Sequence, residues 1–173
     1  MFFLEELPSP KILKGFAERY PEMEIDSTTA CLNLLWFASH LFRDLENHFS
    51  SHGLSQARFL VLIILERTTE KHLMPVEMAK QLGISKKNTA RVLSFMEEDQ
   101  LVSRTSHESD GRASIVSITP KGSKLLAEAM PGYYRVLNRA MKPLNAKSKA
   151  VLIDLLGELG RDSDWIEKRR RSA

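Results

Sequence analysis

Apolar side chains recur at helical spacing over most of the chain. Between Asp26 and Phe49 they form one row at Leu34, Ala38, Leu41 and Leu45 and a neighbouring row at Leu32, Leu35, Trp36 and Phe42, with Asp26 or Ser27 as N-cap. A helix apolar over so wide an arc is normally buried between two bodies, which predicts a central position or a dimer seam. Ser55 caps a second helix, Gln56 to about Arg67, built on Phe59, Leu62, Ile63 and Leu65. Pro75 suits the first turn of a short helix ending at Leu82, and Gly83 can take the left-handed conformation that stops it. Ser85 then caps a helix to Glu98 or Asp99. Thr89, Val92, Leu93 and Met96 face inward on it, and Lys86, Lys87, Asn88, Arg91 and Ser94 face outward.

Past Gln100 the period changes from 3.6 to 2. Leu101 to Thr105 and Ser114 to Ile118 alternate around a polar tip, His107 to Arg112, which predicts a two-stranded hairpin. Thr119 caps the next helix with Pro120 at its first position, and Pro131-Gly132 predicts a kink or interruption before that helix reaches about Met141. The last helix opens at Asn145 and carries Val151, Leu152, Leu155, Leu156 and Leu159 as a seam suited to another helix. Ahead of all these, Ile12, Leu13, Phe16, Ala17 and Tyr20 form a short helical stretch between Pro10 and Pro21.

The predicted fold is mainly α with a small antiparallel β-wing, a winged helix-turn-helix lobe on a helical dimerisation domain. Residues 1–26 are an N-terminal arm packing on the dimer body. Residues 27–50 and 120–168 form the dimerisation region, 51–119 the winged lobe and 169–173 a basic tail.

Composition narrows the class. A chain of 173 residues with 43% hydrophobic and 27% charged side chains can build one good core. The longest apolar run, Phe59 to Leu65, is far below the ~20 residues of a membrane span, and acids near the N-terminus speak against a secretory signal, so a cytoplasmic protein is expected. One cysteine, Cys31, excludes an internal disulfide and a Cys-based zinc site. Net charge is +3 but uneven: residues 1–50 hold 4 basic and 8 acidic side chains, 51–124 hold 11 and 8, and 125–173 hold 10 and 6. A basic body behind an acidic head permits nucleic-acid binding through a local patch without proving it.

The candidate chemistry lies at Gly83. Two short helices joined by a glycine turn, the second exposing cations near its N-terminus and followed by a hairpin tipped with Arg112, have the parts of a winged helix-turn-helix. Ser85 opens the second helix, where unpaired N–H groups can meet a phosphate. Asn88 matches adenine and Arg91 guanine in the major groove, Lys87 shares their face, and Lys86 suits a phosphate.

The chain resembles the MarR-type transcriptional regulators from about Ser27 to Arg161. The residues that carry the resemblance are Gly53-Leu54-Ser55 with Arg58-Phe59, Met78-Ala79, Leu82-Gly83-Ile84-Ser85, Arg91, Leu101-Val102-Ser103-Arg104, Asp110-Gly111-Arg112 and Ile118-Thr119-Pro120-Lys121-Gly122. The resemblance implies a cytoplasmic homodimer bound to a short inverted repeat in double-stranded DNA, with repression relieved by a ligand or an oxidant. It places Arg104 in the DNA-binding set, makes Asp110 the wing acid that steadies an arginine, and sends Arg112 into the minor groove. Two positions depart from the pattern. Gly111 replaces an arginine, and Gln100 stands where many relatives have glycine, so a left-handed turn there must be taken by a residue with a Cβ or be replaced by another geometry.

Relatives bind aromatic acids or phenols between the dimer body and the DNA-binding lobe, and Trp36, His40, Arg43, Arg58 and Phe59 are the candidate effector contacts. Cys31 lies where peroxide-sensing members keep a reactive thiol. Without the tyrosines that support such a thiolate, a small core residue with its pKa raised by burial is the expectation. No enzyme is expected: there is no phosphate loop, no His-Glu-x-x-His and no Gly-x-Ser-x-Gly, and His48 and His52 adjoin a helix end at Gly53. No metal, cofactor or membrane partner is expected. Two alternatives stand: a winged-helix protein-interaction module without DNA binding, and a thiol-based redox regulator using Cys31.

Overall fold

The structure, a computed structural model, describes residues 5–106 and 114–161. In chain order the elements are α1 (Pro10–Arg19), α2 (Ile25–Ser50), α3 (Gln56–Arg67), β1 (His72–Leu73), α4 (Pro75–Leu82), α5 (Lys86–Glu98), β2 (Val102–Ser106), β3 (Ser114–Ile118), α6 (Pro120–Ala140) and α7 (Ala146–Arg161). No described helix is long and apolar enough to cross a membrane. The chain divides into two compact units, residues 1–47 and 48–173, the boundary falling in the last turn of α2.

In the first unit α1 is capped by Ser9, whose Oγ accepts from the Ile12 N–H at 3.4 Å. α2 begins before either predicted cap. Asp26 and Ser27 are already helical, and Ser27 Oγ donates to the Glu24 carboxylate at 2.7 Å. Trp36 Nε1 donates to Glu5 O at 3.0 Å and Arg43 pairs with the Glu5 carboxylate at 3.1 Å, which ties the chain ahead of α1 to α2.

The second unit is organised around α3, which packs on α4, α5, α6 and β3. Its Phe59, Val61, Leu62, Ile64 and Leu65 are all buried, so the helix is covered on nearly every side. Ile63, predicted for the core, is only half-buried. Phe49 and Tyr133 flank Phe59 with ring centroids at 4.3 and 5.0 Å. Such ring pairs add to the stability that burial supplies.

The predicted pairing of β2 and β3 is present, and β1 extends it to a three-stranded antiparallel sheet in the order β1-β3-β2. β1 contributes only His72 and Leu73, opposite Ser117 and Val116, and two residues are too short to display a period. β2 and β3 pair from Val102↔Ile118 to Ser106↔Ser114. The hairpin tip between them lies outside the described residues.

At Pro131-Gly132 α6 is not interrupted. It runs unbroken from Pro120 to Ala140 with Pro131 inside it. Pro131 is exposed, so the carbonyl it cannot serve can turn to water. Gly132 serves a contact instead: the His48 ring lies where a Cβ would project, and His48 Nε2 donates to Ala129 O at 2.8 Å.

Candidate nucleic-acid interface

α4 begins at Pro75, with Glu77 accepting the Met74 N–H at 3.2 Å. It stops at Gly83, which takes φ 65° and ψ 29° as predicted. The Ile84 N–H bonds back to Ala79 O at 3.3 Å, and Ala79 is buried, small enough for α4 and α5 to cross closely. Ser85 then caps α5: its Oγ accepts from the Asn88 N–H at 3.2 Å and its carbonyl from the Thr89 N–H at 2.9 Å. Thr89 Oγ1 also donates to that carbonyl at 3.1 Å, which satisfies a hydroxyl that is fully buried.

Thr89, Leu93 and Met96 are fully buried and fix the rotation of α5 about its axis. That rotation leaves Ser85, Lys86, Lys87, Asn88 and Arg91 exposed together. Lys86, Lys87 and Arg91 carry no ion pair among the described residues. Arg91 lies over the Phe95 ring, 5.8 Å from its centroid, which restrains an otherwise free guanidinium. The sequence reading missed Phe95, which is half-exposed on this face one turn beyond Arg91. An unpaired aromatic on a polar face was the available signal.

Arg104 is placed differently. Its guanidinium pairs with Glu97 at 3.2 Å and donates to Ser94 Oγ at 3.3 Å and Ala90 O at 3.4 Å. Asp110 and Arg112 lie outside the described residues.

The five expected effector contacts fall in both units. Trp36, His40 and Arg43 belong to the first unit, where the Trp36 and His40 rings meet at 4.4 Å and Trp36 and Arg43 are engaged with Glu5. Arg58 and Phe59 belong to the second. Arg58 is held by the Asp99 carboxylate and by Gly53 O at 3.2 Å, and Phe59 is fully buried, so neither presents a free surface to a ligand. Cys31 is exposed on α2 rather than packed in a core, which corrects the expected burial. Among the described residues no cluster of three His, Cys, Asp or Glu could hold a metal ion.

A groove of about 520 Å³ opens instead between α3 and α6. Ile63, Leu126, Met130, Tyr133, Tyr134 and Leu137 give it an apolar and aromatic wall, and Glu66, Arg67 and Ser123 give it a polar end. Lys71 Nζ and Ser123 Oγ donate to Glu66 at 2.8 and 2.9 Å and hold its carboxyl below the usual carboxylate range. Arg67 donates to Gln81 at 2.7 Å, which links the groove's rim to α4. In sequence, Leu126, Met130, Tyr133, Tyr134 and Leu137 recur at three or four residues and look like an ordinary core stripe.

A helix pair crossing at a left-handed glycine, with cations on the second helix and an antiparallel sheet behind it, defines a winged helix-turn-helix protein. Comparison with known proteins narrows that class. Residues 54–114 match the MarR family. Over 156 residues the chain is 27% identical to the HTH-type transcriptional repressor YetL of Bacillus subtilis, covering 90% of this chain and 93% of that one. Its fold is similar to that of Sco3205, a MarR family transcriptional regulator from Streptomyces coelicolor solved in complex with DNA, with a TM-score of 0.75, 18% identity, and coverage of 82% and 91%. It is also similar to Bordetella bronchiseptica BpsR, whose DNA binding is regulated by 6-hydroxynicotinic acid, with a TM-score of 0.66, 21% identity, and coverage of 76% and 91%. The chain thus has the winged-helix fold of MarR family structures, and its match to the family itself runs over residues 54–114.

Proposed function

We propose that the protein is a homodimeric, sequence-specific DNA-binding repressor, working in the cytoplasm and released from its operator by a small aromatic or phenolic effector. The observation that carries this reading is the outer face of α5, where Lys86, Lys87, Asn88 and Arg91 stand exposed opposite a locked core face. Asn88 and Arg91 read base edges in the major groove, Ser85 and Lys86 meet phosphate, and Lys87 supports either role. Arg112, steadied by Asp110, reaches the adjacent minor groove.

The dimer rests on α7, which has no buried residue although Val151, Leu155, Leu156 and Leu159 recur along it. Pairing with a second copy is what covers such a stripe. A two-fold dimer reads an inverted repeat with half-sites about 10 base pairs apart. The effector enters the α3–α6 groove, where Tyr133 and Tyr134 offer ring faces and Arg67 offers a cation to an acid or phenolate.

The test is fluorescence anisotropy on a duplex selected by the protein from a randomised pool, against a random duplex, across a salt series. Arg91→Ala should cost about 1–3 kcal/mol on the selected duplex alone. Lys86→Ala should weaken both duplexes alike and lower the salt slope by about one unit. Equal losses on both duplexes for both variants would refute the assignment. Salicylate or 6-hydroxynicotinate should release the selected duplex, and Tyr134→Ala should blunt that release if the groove is the effector site.

A further inference from the structure

We propose that Arg104 is a positioning residue that locks the wing to the recognition helix, not a contact to the DNA backbone. The inference rests on the DNA-binding reading above and assigns the residue a different task within it. Side chains on a strand alternate between faces, so Arg104 shares the face of Val102, which is buried, while Ser103 and Thr105 are exposed on the other. Arg104 also stands opposite Val116 of β3, itself fully buried. The parity of β2 therefore aims the guanidinium at α5 and away from solvent, and the side chain is only 29% exposed.

Its acceptors confirm the direction. Ala90 O, Ser94 Oγ and the Glu97 carboxylate are spaced four and three residues apart, a single stripe along α5, and one guanidinium engages all three. Ser94 spends its only hydroxyl proton on Ala90 O at 3.0 Å, so its oxygen meets Arg104 as an acceptor. A phosphate ligand would be arranged in the opposite way. It would be exposed and free of carboxylates, as Lys86, Lys87 and Arg91 are among the described residues, whereas Glu97 pairs with the Arg104 charge at 3.2 Å and repels a nearby phosphate. With the fork in place, β2 and α5 move as one body, and the spacing between the two elements that read DNA is set before the DNA arrives.

Arg104→Lys separates the two roles because it keeps the charge and removes the planar fork. The measurement is the affinity for the duplex selected by the wild-type protein divided by that for random duplex, over a salt series. It is accompanied by hydrogen–deuterium exchange of the DNA-free protein. A positioning role predicts that the ratio falls about tenfold, since a charge-assisted bond is lost. The salt slope should stay unchanged, and the amides of β2 and β3 should exchange faster with no DNA present. Glu97→Gln should lower the same ratio, and the double variant should do no worse than the worse single one. A ratio within twofold of wild type for Arg104→Lys, unchanged exchange, or a ratio raised by Glu97→Gln would overturn the inference and leave DNA binding standing. A wild-type protein that selects no sequence would overturn the DNA reading and this inference together.

Discussion

Gly122, in the first turn of α6, lies directly against the carbonyl oxygen of Leu101, so that a Cβ at this position would collide with backbone. The same carbonyl accepts the Thr119 N–H at 3.1 Å, and Thr119 Oγ1 donates to Gln100 O at 2.7 Å and accepts the Gly122 N–H at 3.0 Å. The start of α6 is thus seated on the turn that leaves α5. Gly122→Ala should destabilise the fold by roughly 1–3 kcal/mol, because the obstacle is a peptide group that cannot rotate away. Gly15→Ala in α1, where nothing lies within 4 Å, should instead gain up to about 1 kcal/mol from helix propensity. Urea midpoints of the two variants should move in opposite directions, and a neutral Gly122→Ala would show the seat to be loose.

Gln100 occupies the turn between α5 and β2 at φ 60°, a conformation that costs a side-chain-bearing residue about 1–2 kcal/mol. Gln100→Gly should remove that strain and lose part of the gain to the greater freedom of the unfolded chain. A net stabilisation of about 0.5–1 kcal/mol is expected. Thermal melting checks it: an unchanged or lower midpoint would mean that the Gln100 side chain contributes more than its backbone costs.

Much of the fold was legible because its signals are local. Ser55, Ser85 and Thr119 accept the backbone N–H three residues on, Asn145 does so with the Ser148 N–H at 2.9 Å, and Gly83 is left-handed. What escaped depends on tertiary partners. β1 is two residues long and exists only by pairing with β3, and α6 continues through Pro131 because that side of the helix is exposed. The outer face of α5 follows from helical spacing, and period two, applied to β2, would have turned Arg104 inward beside Val102. The α3–α6 groove was not legible, since its wall is a stripe from α6 facing α3, two helices separated in sequence by the winged region.

Glu66 gives the groove a pH dependence of known sign. Hydrogen bonds from Lys71 and Ser123 lower its pKa in the folded state, so the stability it contributes is present above the ordinary carboxylate range. That stability is lost as pH falls through the ordinary range towards the lowered folded value. Its side chain is 37% exposed, so solvent screening keeps the effect small. Glu66→Gln should therefore narrow the stability difference between neutral and acid pH, most visibly below about pH 4.5. Parallel pH–stability curves for wild type and variant would exclude the Glu66 pairings as the source.

The stripe on α7 supplies the last prediction. Leu155 and Leu159 are 52% and 63% exposed, one turn apart on a helix with no buried residue. If a second copy covers them, each leucine contributes about 2 kcal/mol per subunit on association, and both subunits contribute alike across a two-fold axis. Leu155→Asp should then weaken the dimer by on the order of 10³-fold, enough to yield monomers at micromolar concentration. Asp154→Ala, on the polar side of the same helix, should leave the assembly unchanged. Light scattering coupled to size exclusion distinguishes the cases, and circular dichroism must show the helices intact in both variants. A Leu155→Asp protein that remains dimeric would place the seam elsewhere and leave the exposed face of α7 without its proposed occupant.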